Sequence, residues 1–212
     1  MRLSKSHRVG WPASGRLAAL AMAVLASVAV AAEDAAKARD ESRSEADGTR
    51  TLQQSIELPG VAVEQAWAAF TTSEGFRSWA APIAAVDFRL GGSIEASYDP
   101  ARAIGSPGNI RNEIVAFVPL RMLAFRNREA PPDAPFDAPT FQSLHTVVTF
   151  EPGATATRVT IAQPGYRSGE PWDTLYRHFE RGNGWSLEQL RRRFVQGPVE
   201  WTRPKPVPAA KE

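Results

Sequence analysis

The chain has 212 residues, 25 Lys+Arg against 23 Asp+Glu for a formal net charge of +2, no cysteine, and 43% apolar residues. That length and apolar fraction suit one domain with a real core and exclude wholesale disorder. The missing cysteines exclude disulfides, thiolate zinc sites, iron–sulfur clusters and a cysteine nucleophile.

The basic residues are unevenly placed. Arg2, Lys5, Arg8 and Arg16 precede every acid in the chain. Leu17 to Ala32 then runs sixteen residues with only Ser27 polar, and Ala29-Val30-Ala31 precedes Ala32 and Glu33. A positive start, an apolar stretch and a small-residue A-x-A site describe a secretory signal peptide over residues 1–32, cut near Ala31/Ala32. The stretch is short for a membrane span, which needs about 20 apolar residues. The chain is thus expected in the periplasm or outside the cell, meeting a membrane only transiently through the signal. Beyond position 32, 21 basic residues face 23 acidic ones, a net of −2. The apparent basicity belongs to the export signal, and the electrostatic case for nucleic acid disappears.

Residues 33–50 hold charges, Ala and Ser with no large apolar side chain. They are expected to form a flexible linker. Pro198, Pro204, Pro206 and Pro208 punctuate residues 198–212, which read as a disordered tail. A single domain is expected between them, over 51–197.

Within that domain, Thr51 to Leu58 alternates and ends at Pro59-Gly60, a strand and turn. Val63, Ala66, Trp67 and Phe70 make one helical face. Phe76 and Trp79 extend a short second helix. The period then becomes two at Val86, Phe88 and Leu90, and again, after Gly91-Gly92, at Ile94, Ala96 and Tyr98. Strands follow at 110–118 and 121–127, then a Pro-rich loop, then strands near 142–150 and 156–163. Trp172, Leu175, Tyr176 and Phe179 begin a closing helix. Gly182-Asn183-Gly184 is expected to break or kink it, with Asn183 capping a final segment that carries Leu187, Leu190 and Phe194. Strands joined by short turns form an antiparallel sheet, so the class is α+β. Only the last helix is long enough to cover the sheet.

Four stretches carry a resemblance: Val63-Glu64-Gln65-Ala66-Trp67-Ala68-Ala69-Phe70-Thr71-Thr72; Phe76-Arg77-Ser78-Trp79; Asp87-Phe88-Arg89-Leu90-Gly91-Gly92; and Gly184-Trp185, followed by Leu190 and Gly197-Pro198. In this order and spacing they resemble the START-like (SRPBCC) superfamily, and within it bacterial proteins similar to the C-terminal domain of the activator of Hsp90 ATPase. The resemblance implies a helix-grip fold. A curved antiparallel sheet of about six to seven strands would pack on the long C-terminal helix, with a cavity between them. Two short helices would follow the first strand.

No catalytic constellation is assembled in the sequence. His145 and His178 show no metal-ligand spacing, so no metal and no cofactor are expected. Glu113 and His145 are the weak catalytic candidates. Strand alternation turns His145 away from its apolar neighbours, whereas an inward Glu113 would serve as a general base. Trp79, Phe88, Tyr98, Phe125, Tyr176 and Trp185 are the candidate cavity residues, because large rings with one polar atom suit a mostly apolar ligand. The favoured function is an exported module binding a small hydrophobic or amphipathic molecule. The alternatives are a cavity enzyme of the polyketide-cyclase or hydrolase kind, with Glu113, His145 or Tyr98 moving protons, and a co-chaperone-like interaction module. The sequence fixes neither ligand nor oligomeric state.

Overall fold

The computed structural model describes residues 37–201 of the chain. The expected signal peptide and residues 202–212 of the expected tail lie outside the described residues. Nine strands form one antiparallel sheet: β1 (Arg39–Asp40), β2 (Arg43–Ser44), β3 (Arg50–Pro59), β4 (Ile83–Val86), β5 (Ser93–Ser97), β6 (Ile110–Val118), β7 (Met122–Glu129), β8 (His145–Pro152) and β9 (Ala156–Tyr166). Their order is β1-β3-β9-β8-β7-β6-β5-β4, with β2 also on β3. Among the described residues four helices accompany them: α1 (Val63–Thr71), α2 (Ser73–Arg77), α3 (Ala138–Ser143) and α4 (Trp172–Gln196). The long α4 covers the inner face of the sheet, giving the helix-grip arrangement. No helix among the described residues is long and apolar enough to cross a membrane.

The strand count exceeds expectation because part of the expected linker is structured. Arg39 pairs with Ser55 and Arg43 with Thr51 along the edge of β3. An open strand edge offers unpaired N–H and C=O groups, so a polar segment joins it without burying apolar surface. Charge complementarity adds to this pairing. The Glu41 carboxylate accepts from Gln53 Nε2 at 3.1 Å and Ser55 Oγ at 3.0 Å, and it pairs with Arg158. The start of the expected tail is also docked. Val199 N donates to Ser78 O at 2.9 Å and Trp201 Nε1 donates to Arg77 O at 2.7 Å.

Two further readings are corrected. The alternation at Val86, Phe88 and Leu90 does not form a strand beyond Val86; residues 87–92 turn the chain, and Leu90 is 62% exposed. The turn requires Gly92, where a Cβ would stand 2.0 Å from Asp87 O. The expected break at Gly182-Asn183-Gly184 does not occur, for α4 runs through it as one helix of 25 residues. Each mid-helix glycine costs about 1 kcal/mol relative to alanine. Tertiary packing at the two helix ends outweighs that cost. Asn183 is not a cap; it lies mid-helix and donates to Gln163.

Those two ends are anchored by separate apolar clusters. Leu187 and Leu190, both 0% exposed, pack with Ile56, Trp79, Val148 and Phe150. Leu175, also 0% exposed, packs with Leu52, Phe141, Leu144 and Tyr166. At Gly182 a Cβ would meet nothing within 4 Å.

Urea unfolding should separate these regions. Leu175→Ala and Leu190→Ala should each cost about 2 to 5 kcal/mol, whereas Gly182→Ala should stabilise by about 0.5 to 1 kcal/mol. A destabilised Gly182→Ala would show that the middle of the helix is packed after all.

Candidate functional site

The gap left at mid-helix is a cavity of about 400 Å³. Its floor is the inner face of β5 to β9, its roof is α4 around Phe179, Gly182 and Asn183, and Phe70 and Trp79 close one side. The Pro-rich loop 130–137 lines another side, presenting Asp133 and Phe136. The volume falls within the range of about 300 to 1,000 Å³ typical of small-molecule sites.

The expected cavity residues divide into two groups. Trp79, Tyr98 and Phe125 line it. Trp79 is 3% exposed and is held by its Nε1 donating to Ala69 O at 2.9 Å. Tyr98 stands at the rim, 58% exposed. Phe88, Tyr176 and Trp185 do not line it. Phe88 packs between Trp67 and Phe117, at ring distances of 5.6 and 4.7 Å, beyond the end of β4. Tyr176 sits over Tyr166 at 5.1 Å with the Arg50 guanidinium on its ring. Trp185 lies outside, its ring 6.4 Å from that of Tyr98. A helical face spans more of the circumference than the cavity does, so being apolar on α4 did not suffice.

Neither catalytic candidate faces the cavity. Phe125 and Asn127 point inward from β7, so Arg126 and Arg128 point outward, and Glu113 on β6 joins them. Arg128 and Arg126 hold the Glu113 carboxyl below the usual carboxylate range. His145 is exposed and pairs across strands with Arg126 on that same outer face. A proton-transfer role for Glu113 or His145 on a cavity ligand is therefore ruled out by position. Among the described residues, no group of three or more His, Asp or Glu is arranged to hold a metal.

The sequence reading missed a row of polar residues. Asn112, Asn127, Thr146 and Gln163 lie on four adjacent strands, β6 to β9, all facing inward. Asn112 is the register partner of Asn127, and Phe125, two residues along, is the partner of Thr146. Gln163 Nε2 donates to Thr146 Oγ1 at 2.9 Å. Gln163 Oε1 accepts from Tyr166 OH and from Asn183 Nδ2, each at 3.0 Å. Asn127 Nδ2 donates to Phe141 O at 3.1 Å. The result is an uncharged polar belt across an otherwise apolar cavity. Each member sits at an inward position, a signal that strand parity contains once strand boundaries are known.

The rim is fixed by a charge on the outer face. Glu95, 6% exposed, accepts from Gly105 N and Asn109 Nδ2, each at 2.6 Å, and pairs with Arg111 at 3.4 Å. Burial acts to raise the pKa of Glu95, but Asn109, Gly105 and Arg111 outweigh it and hold the carboxyl below its ordinary value. These bonds pin loop 98–109, and its Gly108 lies against Pro132 of the second rim loop.

His178, which shows no metal-ligand spacing in the sequence, lines the cavity and meets the Phe136 ring edge-on at 4.9 Å. Desolvation, then the Arg181 charge, lowers its pKa, so the imidazole is neutral at physiological pH. A histidine with a depressed folded pKa binds its proton more tightly when unfolded. Its stabilising contribution is complete above about pH 6.5 and declines as the pH falls below that value. NMR titration should place the His178 midpoint below that of an unperturbed histidine, and His178→Phe should flatten the acid loss of stability. A midpoint at or above about 6.5 would refute the desolvated placement.

The solved structures that resemble the chain include the Aha1 dimer from Colwellia psychrerythraea, a Mesorhizobium loti protein, and CalU16 from Micromonospora echinospora. Their identities are 14%, 20% and 14%, with TM-scores of 0.53, 0.54 and 0.54. The matches cover 69%, 71% and 77% of this chain and 97%, 100% and 86% of those chains. At such identities they establish the fold. No curated protein sequence matches the chain. The family described as Activator of Hsp90 ATPase homolog 1-like protein matches residues 61–194, from just before α1 almost to the end of α4. The chain belongs to the Activator of Hsp90 ATPase homolog 1-like family.

Proposed function

We propose that the domain is an exported binding protein that holds a small hydrophobic or amphipathic molecule between the sheet and α4. The observation that carries this reading is the preformed cavity of about 400 Å³, walled by Phe70, Trp79, Phe125 and Phe179 and crossed by an uncharged polar belt. Burying an apolar molecule there contributes about 25 cal/mol for each Å² removed from water, and the belt fixes its orientation. The cyclase-type alternative built on Glu113 and His145 has no support from position, because both groups lie across the sheet from the cavity. Export rests on residues 1–32, and it separates the chain from any cytosolic chaperone partner.

Protein recovered from the exporting cell should begin near Ala32 and should carry a bound small molecule in native mass spectrometry. That added mass should disappear on denaturation and be absent from Gly182→Trp, whose side chain would occupy the cavity. A bare wild-type mass, together with no uptake of hydrophobic probes, would contradict the binding role. A chain retaining residues 1–31 would contradict cleavage.

A further inference from the structure

We infer that the two rim loops, 98–109 and 130–137, act as one lid on the cavity, and that Glu95, reaching it from the opposite face of the sheet, is the positioning residue that sets how fast a ligand enters and leaves. This rests on the binding role proposed above and deepens it. Ile94 and Ala96 on β5 line the cavity, so Glu95 between them points to the outer face. It is nevertheless only 6% exposed, because loop 98–109 leaves the rim at Tyr98 and folds across, bringing Gly105 N and Asn109 Nδ2 onto the carboxylate. Within that loop Asn109 is the one buried residue, and its side chain is committed to Glu95 and to Ala103 O. The loop thus has no apolar anchor, and charge-assisted hydrogen bonds to a buried carboxylate hold it instead.

The second loop rests against the first. None of residues 130–137 is buried. Its Pro132 ring meets Gly108, where an added Cβ would stand 3.0 Å from Pro132 Cδ and 2.8 Å from Arg102 Nη1. Gly108 has a φ of +80°, which only glycine adopts freely, and Arg102 Nη1 donates to Pro107 O at 2.6 Å, so the chain at this contact is held in one shape. Another link runs through Arg111, which pairs with Glu95 at 3.4 Å and, at 3.6 Å, with Glu129 at the start of the second loop. The far side of loop 130–137 sets Phe136 against His178 of α4, with the rings 4.9 Å apart. Releasing Glu95 therefore frees both loops at the rim and leaves the cavity floor on β8 and β9 paired as before.

Hydrogen exchange and stopped-flow binding of naphthol, both on the full chain, test the inference by comparing Glu95→Gln with Glu113→Gln. Each variant removes an outer-face carboxylate paired with arginine, but the side-chain bonds of Glu113 go to Arg126 and Arg128 on β7 and to neither loop. Glu95→Gln should speed amide exchange in 98–109 and 130–137 together. It should also raise the entry and exit rates of naphthol about tenfold each, the size expected of one lost charge-assisted hydrogen bond, with Kd held within about twofold. Glu113→Gln should leave exchange and rates at wild-type values. Asn109→Ala, which keeps the carboxylate and its Gly105 bond, should repeat the Glu95→Gln pattern more weakly, so a misfolded Glu95→Gln does not spoil the test. Faster exchange confined to 98–109, unchanged naphthol rates, or an equal response of Glu113→Gln would overturn the inference and leave the binding role standing. Failure of the wild-type protein to bind naphthol would overturn the binding role and the rate-setting role together, while the exchange data would still confirm or refute the common motion of the loops.

Discussion

The architecture depends on how α4 lies against the sheet. It is held by Leu187 and Leu190 in one apolar cluster and by Leu175, with Tyr176 and Phe179, in another, while Gly182, Asn183 and Ser186 between them bring little bulk to the sheet. Gly182 has no side chain, Asn183 is committed to Gln163, and Ser186 is small. A helix is stiff over this length, so anchoring both ends suspends the middle. The cavity is the space below that suspended span. Close packing is the rule for protein interiors, and a void of this size in a core is an exception that calls for a use.

The polar belt follows from the same geometry. Inward positions on β6 to β9 beneath the span face the cavity rather than close-packed apolar side chains, and Gln163 meets the helix through Asn183, so they tolerate side chains that a packed core would reject. Thr146, Gln163 and Asn127 are 4%, 1% and 3% exposed, yet each has its hydrogen bond. The cavity is thereby polar along one line without a charge there. The outer face of the sheet has the opposite character. Glu113 with Arg126 and Arg128, and Glu41 with Arg158, form ion pairs in reach of solvent, where such pairs contribute little to stability. They keep the outer face soluble and leave binding to the inner one.

Much of this was legible in the sequence. The spacing of Val63, Ala66, Trp67 and Phe70 marked α1, and the change of period after Pro82 marked the sheet. Of the rings the sequence offered for the sheet–helix gap, Trp79, Tyr98 and Phe125 line the cavity. What was not legible depends on contacts distant in the chain. The linker segment joined the sheet because β3 had an open edge, which no local pattern announces. Gly182 and Gly184 read as a break because their intrinsic cost is visible in sequence, whereas the packing of Leu175 and Leu190 that outweighs it is not. Asn112, Asn127 and Gln163 read as ordinary strand polarity, since a shift of one residue in register sends each to the opposite face. Phe88 was lost when its strand proved to end at Val86. The four stretches that resembled the Hsp90-activator relatives fixed the fold, and they lie largely on the α1, α2 and α4 framework, away from the belt.

Mapping a bound small molecule on the inner face tests the central claim most directly. Protein labelled with ¹⁵N and ¹³C, titrated with naphthol, should show intermolecular NOEs from the ligand ring to Trp79 and Phe125. NOEs and shifts confined to the outer face, around Glu113, His145 or the Glu41–Arg158 pair, would contradict it.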